Sequence, residues 1–105
     1  MADQFKTGTQ DGTGASIDIQ LGWVPDYVIV QNHEAADFAR LQWFKGMTAG
    51  HAIKTVTSTN SLITSLGITQ LSAPTSGGQG FRIGADTDVN VSGEALTWCA
   101  FRNAP

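Results

Sequence analysis

Apolar side chains recur along most of this chain at every second position, the period of a half-buried β-strand rather than the 3.6 of a helix. Ile17, Ile19 and Leu21 alternate with Ser16, Asp18 and Gln20, which predicts a strand with one dry face. Residues 21–26 break the alternation, and Pro25-Asp26 carries turn chemistry because proline presets the φ a turn needs. Tyr27-Val28-Ile29-Val30 is almost continuously apolar and β-branched, which predicts a central strand covered on both faces. In 34–45 a loop and strand fit better than a helix, with Ala39, Leu41 and Trp43 on one face and Arg40 and Gln42 on the other. Ile53 and Thr55 alternate with Lys54 and Val56, and a less regular apolar series follows from Leu62 to Leu71, interrupted by Gly67. Phe81-Arg82-Ile83 reads as a short strand between a glycine-rich turn at 76–80 and Gly84. A polar connection over 85–93, anchored by Val89 and Val91, leads to a last strand with Leu96, Trp98 and Ala100 opposite Thr97, Cys99 and Phe101.

About eight short strands separated by Gly, Pro, Asn and Asp predict an all-β chain, an antiparallel β-sandwich of jelly-roll-like form. Residues 1–9 read as an N-terminal arm and first strand, and 10–105 as a single sandwich domain. Length agrees, since 105 residues and 11.1 kDa suit one domain. Charged residues make up only 14%, against roughly 25% in an average soluble protein, and Thr, Ser and Gly supply the polarity instead. With a net charge of −3, neither nucleic acid nor an anionic membrane is an expected partner, because both call for a basic surface. No apolar run nears the roughly 20 residues of a membrane span, and the first residues lack the pattern of a secretory signal. The lone cysteine, Cys99, leaves no internal disulfide.

Candidate chemistry is sparse. Asp86-Thr87-Asp88-Val89-Asn90 opens like a calcium loop, but Val91 stands where the sixth-position Gly belongs and Thr97 where the bidentate Glu belongs. A polar inter-strand loop is the better reading. His33 and His51 lack further ligands at metal spacing, even with Glu34 and Asp37 beside His33. Cys99 reads as buried packing rather than a nucleophile. Gly8-x-x-x-Gly12-x-Gly14 and Gly77-Gly78-Gln79-Gly80 read as hairpin turns, since neither leads into a helix with the Lys-Ser/Thr of a phosphate loop. Asn90-Val91-Ser92 fits a glycosylation sequon without a secretory context. Trp43 and Trp98 lie in phase with small apolar neighbours and suit the core, whereas Trp23 sits in a turn and is open to exposure. No nucleophile, base and oxyanion donor can be assembled, so no enzyme, cofactor or metal is expected.

Two blocks resemble a known family. Thr7-Gly8-Thr9, Gly12-Thr13-Gly14 and the run from Ile17 through Leu21-Gly22-Trp23-Val24-Pro25-Asp26 to Val30 resemble a segment of small tailed-bacteriophage virion structural proteins. Gly80-Phe81-Arg82-Ile83-Gly84, Val89-Asn90-Val91-Ser92-Gly93 and Leu96–Phe101 resemble the ending of the same family. Together the blocks cover about half of the chain, and 31–76 has no counterpart. Leu96 departs from the family, which often has Tyr there. The resemblance implies a β-sandwich that serves as a capsid decoration (cement) protein. Such a protein binds the major capsid protein on the capsid exterior after synthesis in the host cytoplasm, and it self-associates, often as a trimer. The alternative it implies is a tail-fibre or tail-tip module recognising host-surface glycan, with Trp23 or Trp43 stacking beside Asp86 and Asp88. Under the first reading the arm with Phe5, and then the turn with Trp23, Val24 and Pro25, are the expected partner-binding residues.

Overall fold

The computed structural model describes residues 5–34, 38–57, 59–71 and 79–102. Among them are nine strands: β1 (Phe5–Asp11), β2 (Ile17–Gln20), β3 (Tyr27–Asn32), β4 (Arg40–Phe44), β5 (Ala52–Val56), β6 (Thr59–Ile63), β7 (Ile68–Leu71), β8 (Gly80–Ile83) and β9 (Ala95–Phe101). All pairings are antiparallel, in a six-stranded sheet ordered β1-β9-β3-β4-β5-β6 and a three-stranded sheet ordered β2-β8-β7. The all-β sandwich read from the alternation is the fold observed. The strand count rises to nine because the irregular run from Leu62 to Leu71 is two strands. Leu66 takes φ 61° between them, and Gly67 packs so closely on His51 that a Cβ would lie 2.6 Å from that residue's carbonyl carbon.

The first strand pairs with the last and the second with the next to last, as in a rolled-up jelly roll. From β3 to β6 the chain departs from that plan and runs as a meander within one sheet. The alternation explains the core. Val28, Val30, Leu41, Trp43, Leu96, Trp98 and Ala100 point from the large sheet onto Ile19, Ile68, Phe81 and Ile83 of the small one. Phe81 meets the edge of Trp98 with centroids 5.5 Å apart and planes at 72°, bridging the two sheets.

Three sequence expectations need correction, for β3, Trp23 and Gly8. β3 is covered on one face only: Val28, Val30 and Asn32 are buried, while Tyr27, Ile29 and Gln31 stay partly open, because three strands cannot cover both sides of six. Trp23 is not exposed; 5% of it reaches solvent. Of the arm and first strand expected over 1–9, the strand is β1, an edge of the large sheet that pairs with β9 over seven positions and continues to Asp11, and residues 1–4 lie outside the described residues. Gly8 is not a turn residue but lies within β1 on the Trp98 indole, where a Cβ would come within 2.7 Å of Cζ2. Of the predicted turn at 76–80, residues 76–78 lie outside the described residues, as does Asp37 beside His33.

Candidate docking face

The large sheet has an inner face on the core and an outer face on which, among the described residues, no second layer packs. Pairing register arranges the outer face in rows. Phe5 stands opposite Phe101, Phe101 opposite Tyr27 and Tyr27 opposite Phe44, so four aromatic side chains cross four adjacent strands. Successive ring centroids lie 4.8, 5.6 and 5.0 Å apart with planes tilted by 37–56°, which makes a faceted ridge rather than a flat plate. Phe5, Phe101 and Phe44 are 49%, 43% and 45% exposed, and with Tyr27 linking Phe101 to Phe44 they form one contiguous apolar patch.

Next to the ridge runs a row of Thr7, Cys99, Ile29, Gln42, Ile53 and Leu62, and beyond it a polar row of Thr9, Thr97, Gln31, Arg40, Thr55 and Asn60. Arg40 is the single charge in these three rows. At the ridge end Lys45 Nζ stands 3.9 Å from Asp26 Oδ1, a solvated pair of small energetic weight. Cys99, expected as buried packing, is instead half-buried on this outer face between Thr7 and Ile29.

Of the residues expected to touch a partner, the structure brings Phe5 onto the ridge and does not bring the others to it. Trp23 lies beneath Arg102, whose guanidinium carbon is 5.1 Å from the ring centroid. Pro25 is fully buried and its carbonyl accepts from Gln70 Nε2 at 2.7 Å; Val24 is half-buried. Trp43 is 3% exposed, with Nε1 donating to the Thr48 carbonyl at 3.4 Å, so neither Trp23 nor Trp43 offers a free face for stacking. Sequence reasoning missed Tyr27, Phe44 and Phe101 as a group. The available signal was their phase, since each sits at the position out of step with the buried residues of its strand.

Polar clusters inside the sandwich have structural partners. Lys54 points inward and places Nζ 3.0 Å from Asp86 Oδ1 and 2.6 Å from Asp88 Oδ2. Burial alone would lower the Lys54 ammonium, but hydrogen bonds to Asp88 and Asp86 outweigh it and hold the group above the ordinary lysine value. The other Asp86 oxygen accepts the Asp88 and Val89 N–H groups at 3.1 Å, so this carboxylate caps a turn. The Asp86 and Asp88 offered to a glycan are therefore engaged with Lys54. Arg82 forks onto Asp18 at 2.7 and 3.2 Å, and its hydrogen bond keeps the Asp18 carboxyl below its usual range.

Asn90, the sequon residue, is 2% exposed and fully engaged. Its Oδ1 accepts from the Thr13 and Gly14 N–H groups at 2.9 and 3.3 Å, and its Nδ2 donates to the Ala15 and Gly84 carbonyls at 2.6 and 3.0 Å. A folded chain cannot present that nitrogen for modification. His33 Nδ1 lies 3.4 Å from Thr97 Oγ1, and the His51 backbone carbonyl accepts from the Ile68 N–H. Among the described residues no three of His, Cys, Asp and Glu form a group able to hold a metal ion. Comparison with protein-family models, with curated proteins and with solved structures returns no match to this chain.

Proposed function

We propose that this chain is a bacteriophage virion structural protein, a capsid decoration protein that docks on the outside of the shell through the outer face of its six-stranded sheet. The aromatic ridge of Phe5, Phe101, Tyr27 and Phe44 carries the reading. Rings exposed in contact with one another present apolar surface that a protein neighbour can bury, and burial is worth roughly 25 cal/mol per Å². The neighbouring rows of Thr, Gln, Ile and Leu lose little on desolvation compared with Lys or Glu, which suits extended contact with a repeating surface. Six strands at about 4.8 Å spacing and five residues at about 3.4 Å rise give a face of about 500 Å² in projection. That is below the roughly 800 Å² per partner of a standard interface, so single-site affinity is modest and occupancy of a shell depends on many equivalent contacts. The tail-tip alternative has lost the tryptophans it named, and a faceted ridge suits a protein neighbour better than a planar sugar face.

The test uses purified shells of the parent phage stripped of this protein. Phe44→Thr combined with Phe101→Thr alters only exposed rings, so the fold should persist by circular dichroism. Sedimentation with the shells should then recover at most about a tenth of the wild-type copies, the size of effect expected when two ring contacts are removed. Undiminished occupancy by a folded double variant would remove the ridge from the attachment surface.

A further inference from the structure

Four strand edges border the two sheets, and three are guarded. On β1, Lys6 lies in the inward phase and donates from Nζ to the Leu21 carbonyl at 2.8 Å, placing a cation beside that edge. On β2, Asp18 carries the Arg82 ion pair. On β7, Ile68 donates to the His51 carbonyl and accepts from Gly50, while the Gln70 side chain crosses to Pro25. Among the described residues the β6 edge has no such device. Its residues Thr59, Asn60, Ser61 and Leu62 are all exposed, and Leu62 is 60% exposed. No residue between Lys54 and Arg82 carries a charge, so neither the strand nor its flanking sequence supplies the Lys, Asp or Pro at the edge with which natural sheets discourage pairing.

The hairpin from β5 fixes which backbone groups face out. Val56 pairs with Thr59 across a two-residue connection in which Thr57 has φ 57°, as the primed hairpin turns require. Val56 and Thr59 are therefore the closing hydrogen-bonded pair. Alternation then turns the N–H and C=O of Thr59, Ser61 and Ile63 toward β5, and those of Asn60 and Leu62 toward the open edge.

We propose that β6 pairs with β6 of a second copy about a two-fold axis at Ser61, joining two six-stranded sheets into one. This register is self-complementary. Asn60 meets the partner's Leu62 as a hydrogen-bonded pair, Leu62 meets the partner's Asn60 likewise, and every outward N–H and C=O of the two residues is satisfied by four bonds. Ser61 faces its own copy as a non-hydrogen-bonded pair with Cα atoms about 4.5 Å apart. No like charges meet, because there are none, and the isologous contact closes at two copies. Pairing also leaves the aromatic ridge free on both subunits, so a dimer carries two docking faces on one continuous surface. The proposal stands whether or not that surface meets a capsid.

Four backbone bonds with little apolar burial support a dissociation constant on the order of 0.1–1 mM, so the dimer is a weak one that covalent trapping can reveal. In a Cys99→Ser background, Ser61→Cys places two sulfurs within disulfide reach across the axis. Thr59→Cys does not, since Thr59 faces the partner's Ile63. Under mild oxidation Ser61→Cys should yield several-fold more linked dimer than Thr59→Cys, and adding Leu62→Lys, at an exposed site, should abolish the excess. Sedimentation velocity of the wild type should show a concentration-dependent shift from monomer toward dimer that Leu62→Lys eliminates. Equal trapping of the two cysteines, a dimer indifferent to Leu62→Lys, open-ended polymers or a strict monomer at millimolar concentration would each overturn the two-fold pairing. None of these measurements involves shells, so their failure leaves the capsid reading untouched.

Discussion

Asn90→Ala removes four hydrogen bonds at once. They tie the loop after β1, at Thr13, Gly14 and Ala15, to the connection between β8 and β9 at Gly84. The sequence separation of 75–77 residues for three of them means that this side chain joins the two ends of the chain where they wrap together. Each neutral bond contributes about 0.5–1.5 kcal/mol net, and a buried group left unpaired costs about 1–3 kcal/mol. Thr13 and Ala15 are exposed and can turn to water, so the loss is set near the lower figure for them and higher at Gly84. About 2–4 kcal/mol is expected in total, or a fall in Tm of about 10–20 °C for a domain of this size. Asn90→Asp separates the halves of the network: it keeps both acceptor contacts but aims an oxygen at the Ala15 and Gly84 carbonyls. It should cost at least as much at neutral pH and recover in acid, where a protonated carboxyl can donate again. Urea denaturation followed by tryptophan fluorescence measures both, with Ser92→Ala in the same connection as a neutral control. A loss below about 0.5 kcal/mol for Asn90→Ala would refute the hub, because a buried four-bond amide cannot be removed at surface cost.

Lys54→Met strips the partner from Asp86, a carboxylate 8% exposed, and should cost about 2–4 kcal/mol at neutral pH, somewhat under the loss for a fully buried pair because Asp88 is 43% exposed. Because Lys54 titrates above the ordinary lysine value when folded, its contribution is complete below that value and disappears as pH rises through the raised one; alkaline denaturation of the wild type should include this loss and that of Lys54→Met should lack it. Gly80→Ala drives a Cβ into the Ile19 carbonyl oxygen of the paired strand and should cost about 3 kcal/mol or more by thermal melting. Gly14→Ala, at φ 78° with open space around it, should cost only about 1 kcal/mol, and equal losses at the two glycines would deny the close approach of β2 and β8.

What the sequence made legible follows from the reach of each signal. Alternation is local, and it placed Ile19, Leu41, Trp43, Leu96, Trp98 and Ala100 on the dry side, where they are found. It cannot say how many strands lie on each side of the core. Tyr27-Val28-Ile29-Val30 therefore looked doubly covered, although the second sheet has only three strands. The aromatic ridge was out of reach for a related reason. Its members come from β1, β3, β4 and β9, and only the register of three strand pairs aligns them. Trp23 misled because turn chemistry at Pro25-Asp26 describes the backbone and not the side chain before it, which folds inward under Arg102. Asn90 carried two local readings, sequon and loop, and neither one could announce bonds to Thr13 and Gly14.

The sparse charge gains a structural meaning once each cation is traced. Lys45 pairs with Asp26, Lys54 with Asp86 and Asp88, and Arg82 with Asp18. Lys6 reaches the Leu21 carbonyl and Arg102 covers Trp23, and Arg40 stands in the polar outer row with no ion pair among the described residues. With five of its six cations committed to an ion pair, a backbone carbonyl or a ring, the chain keeps few charges on its outer face, Arg40 in the polar row and Asp11 at the end of β1 among them. Net charge of −3 is small, so long-range repulsion between copies is weak, and at physiological salt it fades within about 8 Å. Surface contact is then decided by shape and apolar area, through the ridge on one face and the uncharged β6 at one edge. The two-layer build is the root of both features. A third layer would bury the ridge and a further strand would close the β6 edge, and in either case the surface on which the corresponding proposed contact rests would be gone.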